Sequence, residues 1–219
     1  MSNTLKFGNG QWGTKVGSAL AYNDLDGNFK PLPFDFTRST SATRINKDGL
    51  IEVVTNNKPR IDFKDNTKGA LLLEPSTLNL VPYSEDFSNS AWTGGGNITV
   101  SGGYLAPDGS NNAYKVNGSG SALNSTMSLI STTTRSIYAR TVSGTGNINL
   151  LSYFGNTNNL FTVTEEWQRF EVNSSISTGV SSFYAVDFRG GTLSEVVIWG
   201  ANATNNQTYA TSYIPTSGS

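Results

Sequence analysis

With no histidine or cysteine in this sequence, the carboxylates are the first candidates for acid–base catalysis, and their spacing works against it. Among 219 residues there are 16 Asp and Glu and 15 Lys and Arg, but no histidine and no cysteine. A serine relay needs an imidazole, and a thiolate nucleophile or a Cys/His zinc site needs a thiol. Composition therefore excludes all three. Glu85-Asp86 and Glu165-Glu166 are adjacent pairs. Neighbours on a strand point to opposite faces, so neither pair can act on one bond. Glycoside hydrolysis requires two carboxyl groups facing each other across roughly 5–10 Å. Asp187 and Glu195, on successive expected strands, could meet, but with no cleft motif around them they read as a turn or salt-bridge feature. The expectation is a protein that is not an enzyme.

The elements that carry these residues follow from composition and pattern. Hydrophobic residues make up 36% and charged residues 14%, and the difference is filled by Asn, Ser, Thr and 23 glycines. Short strands joined by tight turns have this composition. Disordered chains of low hydrophobicity carry high net charge and few aromatics. Here the net charge is −1 and aromatics reach 11%, so a folded β protein is expected. Lys and Arg are scattered, leaving no basic face to displace counterions from phosphate, so nucleic acid is not an expected partner. No apolar run approaches the ~20 residues that span a bilayer. The opening residues MSNTLKFGNG lack the apolar stretch of an export signal. No membrane partner is expected.

Three stretches differ in character. Residues 1–37 scatter Phe7, Trp12, Tyr22, Phe29, Phe34 and Phe36 among turn residues, with little periodic pattern. So short an aromatic segment is expected to pack on a partner or a sister subunit. In residues 38–74, Thr43-Arg44-Ile45 leads through the turn Asn46-Lys47-Asp48-Gly49 into Leu50-Ile51-Glu52-Val53-Val54, a hairpin signature, and Ala70-Leu71-Leu72-Leu73 follows after Lys68-Gly69. Residues 75–219 read as one domain with strands expected at 97–100, 113–117, 126–130, 134–142, 147–154, 159–163, 167–172, 181–189 and 193–200. Strands this short and evenly spaced predict an antiparallel β-sandwich of the jelly-roll kind rather than βαβ units. In 147–154, Ile148 and Leu150 are expected on one face and Tyr153 on the other. In 182–188, Tyr184, Val186 and Phe188 are expected to share a face opposite Phe183, Asp187 and Arg189.

Three ordered blocks give the chain a resemblance to phage virion proteins described as head-spike, head-fibre or tail-fibre proteins. The first runs Phe36-Thr37-Arg38-Ser39, Ala42-Thr43-Arg44-Ile45-Asn46, Gly49-Leu50-Ile51-Glu52 and Pro59-Arg60-Ile61-Asp62-Phe63. The second is Leu71-Leu72-Leu73-Glu74-Pro75, Asn79-Leu80, Tyr83-Ser84-Glu85-Asp86-Phe87 and Trp92. The third is Glu166-Trp167-Gln168-Arg169-Phe170, Ile198-Trp199-Gly200-Ala201 and Ala210-Thr211-Ser212-Tyr213-Ile214-Pro215-Thr216. After Trp199-Gly200-Ala201 the family usually continues Gln-Leu-Glu, whereas this chain has Asn202-Ala203-Thr204. The second half also resembles jelly-roll carbohydrate-binding modules.

The resemblance implies a complete small fibre or decoration protein on the virion surface, assembled in the host cytoplasm. It implies partners in the phage capsid or tail, and self-association as a homotrimer. Residues 1–37 would anchor the protein or join its subunits, 38–74 would form a short hairpin region and 75–219 the jelly roll. Trp12, Phe29 and Phe34, with the Arg60 and Asp62 pair on alternate residues of a strand, are the expected inter-subunit residues. A jelly roll that binds host-surface polysaccharide would stack an aromatic on a pyranose ring, flanked by charged or amide groups. Residues opposite the expected core faces supply Tyr153, Phe183, Asp187 and Arg189 for that role, with Tyr138 and Arg140 on a neighbouring strand. Trp92, Trp167 and Trp199 are expected in packing instead. No cofactor is expected. Jelly-roll modules often hold a structural calcium, for which Glu85, Asp86 and Asp108 are the oxygen ligands to hand, although Asp108-Gly109 reads more simply as a turn. A free-standing lectin and a polysaccharide-degrading enzyme are the alternative readings.

Overall fold

Among the described residues, frequent turn residues and β-prone runs give eighteen strands and no helix. The computed structural model describes residues 36–218 except 131, 154–158 and 176–177, and the backbone of four strands in the first 35 residues. The chain divides into two units: Met1–Ser76 with Thr211–Tyr213, and Thr77–Ala210 with Ile214–Ser219.

The first unit holds β1 (Asn3–Leu5), β2 (Trp12–Thr14), β3 (Ala19–Asn23), β4 (Phe29–Asp35), β5 (Ala42–Ile45), β6 (Ile51–Val54), β7 (Ile61–Asp62) and β8 (Ala70–Leu73). They form the sheets β1-β8-β7, β2-β3-β4 and β5-β6. Strands thus occupy a stretch whose sequence shows little period. The β5–β6 hairpin turns at Gly49, whose φ of 80° suits glycine. Arg38 gathers the carbonyls at its open end, with Nη2 donating to Thr55 O at 2.7 Å and Val54 O at 3.0 Å and Nη1 to Thr40 O at 2.6 Å.

This unit holds a largely buried ion pair. Arg60, 6% exposed, donates through Nη1 to Glu74 Oε2 at 2.7 Å, Thr43 O at 3.1 Å and Ser212 Oγ at 2.7 Å. Ser212 returns its backbone N–H and hydroxyl to the Glu74 carboxylate at 2.7 and 2.6 Å. Thr43 Oγ1 donates to the Tyr213 carbonyl. Residues far apart in sequence are thereby tied into one unit by charge-assisted bonds.

The second unit is an antiparallel jelly-roll sandwich built from β9 (Trp92–Gly94), β10 (Thr99–Tyr104), β11 (Ala113–Asn117), β12 (Ala122–Leu129), β13 (Thr132–Arg140), β14 (Gly146–Tyr153), β15 (Leu160–Val163), β16 (Gln168–Ser175), β17 (Gly179–Asp187) and β18 (Glu195–Asn205). One five-stranded sheet runs β15-β14-β17-β12-β9 and the other β10-β11-β18-β13-β16. Successive strands mostly alternate between sheets, so the chain wraps the core. Between them lie Phe87, Trp92, Leu123, Leu129, Ile137, Ile148, Tyr153, Phe183, Val186 and Ile198. Trp92 packs on Phe87 at 4.9 Å and on Phe183 at 6.1 Å between ring centroids.

A latch closes the second sheet. β11 pairs with β18 only over 195–198. Beyond it Gly200 takes φ 65°, and the register against β13 shifts by one residue there. The freed edge of β18 is taken up by residues 79–84. Leu80 N donates to Ala203 O at 2.8 Å, and Ala201 N to Ser84 O at 2.9 Å. The buried Asn79 carboxamide donates to Ala201 O at 3.0 Å and Ile214 O at 2.8 Å, and accepts from Val81 N at 3.1 Å and Ala203 N at 3.0 Å. Thr216 closes the other side, with its Oγ1 on Val81 O at 2.6 Å and its N–H on Ser84 Oγ at 2.8 Å.

Two stability measurements follow from these networks. Asn79→Ala strands several buried backbone groups and is expected to cost about 3 kcal/mol, on the order of 6–12 °C in melting temperature. A loss below about 1 kcal/mol in denaturant titration would refute the latch. Glu74→Ala leaves Arg60 buried and uncompensated, for about 3–5 kcal/mol. The control Glu52→Ala opens the Arg44–Glu52 pair, whose side chains are 24% and 43% exposed, and should cost under ~1 kcal/mol.

Candidate functional site

The outer face of the β15-β14-β17-β12-β9 sheet gathers polar and aromatic side chains in two rows. Pairing places Thr93, Asn124, Tyr184 and Ser152 side by side on β9, β12, β17 and β14. The next row holds Ala122, Asp187, Asn149 and Leu160. Just past β17, Arg189 folds back over this face. Its Nε and Nη2 donate to Asp187 Oδ1 and Oδ2 at 2.8 and 2.6 Å, and its guanidinium stands 5.4 Å from the Tyr184 ring centroid. Hydrogen bonding to Asp187 holds Arg189 above the ordinary arginine pKa. Asn149 Nδ2 donates to Arg189 O at 2.6 Å, and Asn124 Nδ2 to Thr93 O at 3.0 Å. The result is a half-buried tyrosine ring framed by a carboxylate, a guanidinium and two amides.

The backbone that makes this face departs from simple alternation. On β14, Leu150 and Leu151 are both buried; on the adjacent β17, so are Ala185 and Val186. Leu151 has a φ of 60°, and the register between β12 and β17 shifts at the same level. Two consecutive inward residues on each strand exchange the faces beyond that point. Tyr184 therefore joins Asp187 and Arg189 on the outside, while Phe183 turns inward.

Several expectations are corrected here. Tyr153 and Phe183 are fully buried core residues; the Tyr153 hydroxyl donates to the carbonyls of Met127 and Gly179. Tyr138 and Arg140 lie on β13, in the opposite sheet, away from Asp187 and Arg189. Tyr138 meets Trp199 edge-on at 5.6 Å and lies beneath Arg169 at 5.6 Å, while Arg140 covers Trp167 at 5.3 Å. An arginine of the same chain stands over each of these two rings, as Arg189 does over Tyr184. The tryptophans pack as expected, with Trp92 and Trp199 buried and Trp167 half-buried. Asp187 and Glu195 belong to different sheets and pair with Arg189 and Lys115, so they do not face one another. Tyr184, Asn149, Ser152, Asn124 and Thr93 were not singled out from sequence. The adjacent apolar pairs Leu150-Leu151 and Ala185-Val186 were the signal that would have found them.

The remaining candidates are placed as follows. Arg60, expected at a subunit contact, is buried and pairs with Glu74 of its own chain. Asp62 accepts from Ile45 N at 2.7 Å and Lys64 N at 2.9 Å. Trp12 falls on β2, and Phe29 and Phe34 on β4; their side chains lie outside the described residues. Asp86 accepts from Ser88 N at 3.1 Å, Ser88 Oγ at 2.6 Å and the Tyr114 hydroxyl at 3.1 Å, and the Ser88 hydroxyl bond above all holds it below the usual carboxylate range. Asp108 closes a turn on Ser110 N at 2.9 Å, and Glu85 accepts from Asn112 Nδ2 at 2.9 Å. Among the described residues no group of three or more such ligands is arranged to hold a metal ion.

No protein-family model matches the chain, and no curated protein matches it. Among solved structures, the CBM22-1 xylan-binding domain of Paenibacillus barcinonensis Xyn10C is similar at TM-score 0.44 and 12% identity, over 63% of this chain and 100% of that one. The C-terminal family 22 carbohydrate binding module of Clostridium thermocellum Xyn10B gives 0.45 and 16%, with the same coverage of 63% and 100%. The enzymatically active domain of Bacteriophage CBA120 tailspike protein 4 gives 0.38 and 14%, over 57% of this chain and 21% of that one.

Substitution separates the core tyrosine from the surface one. Tyr153→Phe removes a buried donor shared by two carbonyls and is expected to cost about 1–2 kcal/mol in denaturant titration. Tyr184→Ala, on the open face, should stay within about 1 kcal/mol. The reverse order of costs would overturn the assignment of faces.

Proposed function

We propose that the chain is a non-enzymatic structural and attachment protein of a phage particle, whose sandwich displays the Tyr184 face to host-surface polysaccharide. The observation that carries glycan binding is the gathering of Asn124, Tyr184, Asp187 and Arg189 on the outer face of one sheet. An aromatic ring there can stack on the apolar side of a pyranose, while amides and charges bond its hydroxyls. The non-enzymatic part is supported by the separation of Asp187 and Glu195 onto different sheets.

The phage assignment is supported by what the resembling blocks do. Arg60, Glu74 and Ser212 form one network, and Asn79, Ser84, Ala201 and Thr216 another. The blocks thus make up interlocking parts of a scaffold rather than unrelated short matches. On this reading the first unit mounts the protein on capsid or tail and on its sister chains as a homotrimer, and weak single-site affinity is raised by multivalency.

The test is a screen of the full chain on immobilised surface polysaccharides, with its mass measured by light scattering. The expectation is a trimer that binds at least one glycan, with Tyr184→Ala weakening binding about tenfold, on the order of 1.4 kcal/mol. A monomer at micromolar concentration contradicts the mounting role. Binding unchanged in Tyr184→Ala removes the face.

A further inference from the structure

The Tyr184 face contains two oxygen atoms that the protein leaves without a hydrogen-bond partner, Asn149 Oδ1 and Ser152 Oγ. Their residues are 4% and 2% exposed. They lie opposite Asp187 and Tyr184 on the neighbouring strand. Folded proteins leave few buried polar atoms unpaired, because the desolvation is not repaid. Both atoms accept hydrogen bonds, and the Asn149 amide nitrogen is already engaged with Arg189 O. What is missing on this face is therefore a donor to Asn149 Oδ1 and a donor or acceptor for the Ser152 hydroxyl, both of which a ligand hydroxyl can supply.

Charge narrows the ligand further. The cation over the face, Arg189, is bound through Nε and Nη2 to Asp187. The pair is neutral as it stands. When the exposed Arg189 side chain, 54% accessible, swings away, Asp187 is left as a carboxylate. Near Tyr184 the face is thus neutral or negative in either arrangement, and like charges repel at short range.

We propose that this face takes a neutral, polyhydroxylated sugar and rejects uronic and sialic acids. One sugar hydroxyl donates to Asn149 Oδ1 and another bonds the Ser152 hydroxyl as Arg189 moves aside, with the ring stacked on Tyr184. The proposal rests on the glycan-binding reading above and specifies its ligand.

The experiment compares the full chain on neutral glucan, mannan, galactan and xylan oligosaccharides with polygalacturonate, alginate and polysialic acid, at about 50 and 500 mM salt. The expected result is binding to a neutral glycan that changes less than about twofold with salt. Ser152→Ala should then weaken it about threefold to tenfold. That variant exchanges an unpartnered hydroxyl for hydrogen, so it is expected to fold; an unchanged melting temperature checks this. Preferential, salt-sensitive binding of the acidic polymers would overturn the ligand class while leaving glycan binding intact. Neutral binding that Ser152→Ala and Asn149→Ala both leave unchanged would also overturn it, showing that these atoms serve a buried water. Binding to neither class would refute the proposal together with the reading it rests on.

Discussion

The carboxamide of Asn79 is the interaction on which the sandwich depends. β18 is the longest strand and runs through the middle of its sheet, but its pairing with β11 ends at Ile198. The turn of the backbone at Gly200, with φ 65°, keeps Ala201 and Ala203 facing the core while the strand changes register. Glycine fits because a side chain in that conformation is strained. The cost is an edge of unpaired amides and carbonyls inside the domain. Asn79 meets that need with two donors and a doubly used acceptor, serving three separate segments from one side chain. Few residues can do this, since among short side chains only a carboxamide offers two N–H donors beside an oxygen with two lone pairs.

The same kind of irregularity shapes the candidate site. A regular strand would give the outer face every second residue of β17, and Phe183, Ala185 and Asp187 would share one side. The double inward step at Ala185-Val186, matched by Leu150-Leu151 next door, instead sets Tyr184 beside Asp187 and Arg189. The ion pair and the stacked tyrosine exist because two neighbouring strands slip out of alternation together. A sheet without that defect would bury the tyrosine or expose the phenylalanine.

How much of this was readable in the sequence follows from the range of each signal. The all-β class and most strands of the sandwich were legible, because glycine turns and alternation act within a few residues; Ala113–Asn117 and Leu160–Val163 fall where expected. β9 was missed because three residues are too short to show a period. The site was misread for a different reason. Alternation assigns a face only until a bulge intervenes, which sent Tyr153 and Phe183 to the wrong side. Nor does any local pattern say which sheet a strand joins, so Tyr138 and Arg140 on β13 were grouped with residues that belong to the other sheet. Arg60 and Asp62 are expected at a subunit contact because they alternate on a strand, whereas Arg60 bonds Glu74, on another segment of its own chain, which no local pattern announces.

The residues that carry the resemblance and those that form the candidate face do not overlap. Arg38, Thr43, Arg60, Glu74, Asn79, Ser84, Trp92, Gly200, Ser212 and Thr216 hold hairpins, latches and core. Thr93, Asn124, Asn149, Ser152, Tyr184, Asp187 and Arg189 stand outside every block. The departure at Asn202-Ala203-Thr204 fits the same division. Thr204 is buried and donates to Thr134 O at 3.2 Å, so it is part of the packing. A carboxylate at that position would need a charge partner that a hydroxyl does not. A scaffold closed by its own backbone and a few fixed side chains leaves its outer sheet free of structural duty. Chemistry placed on that sheet can change without disturbing the fold, so the choice of ligand has to be argued from the face itself.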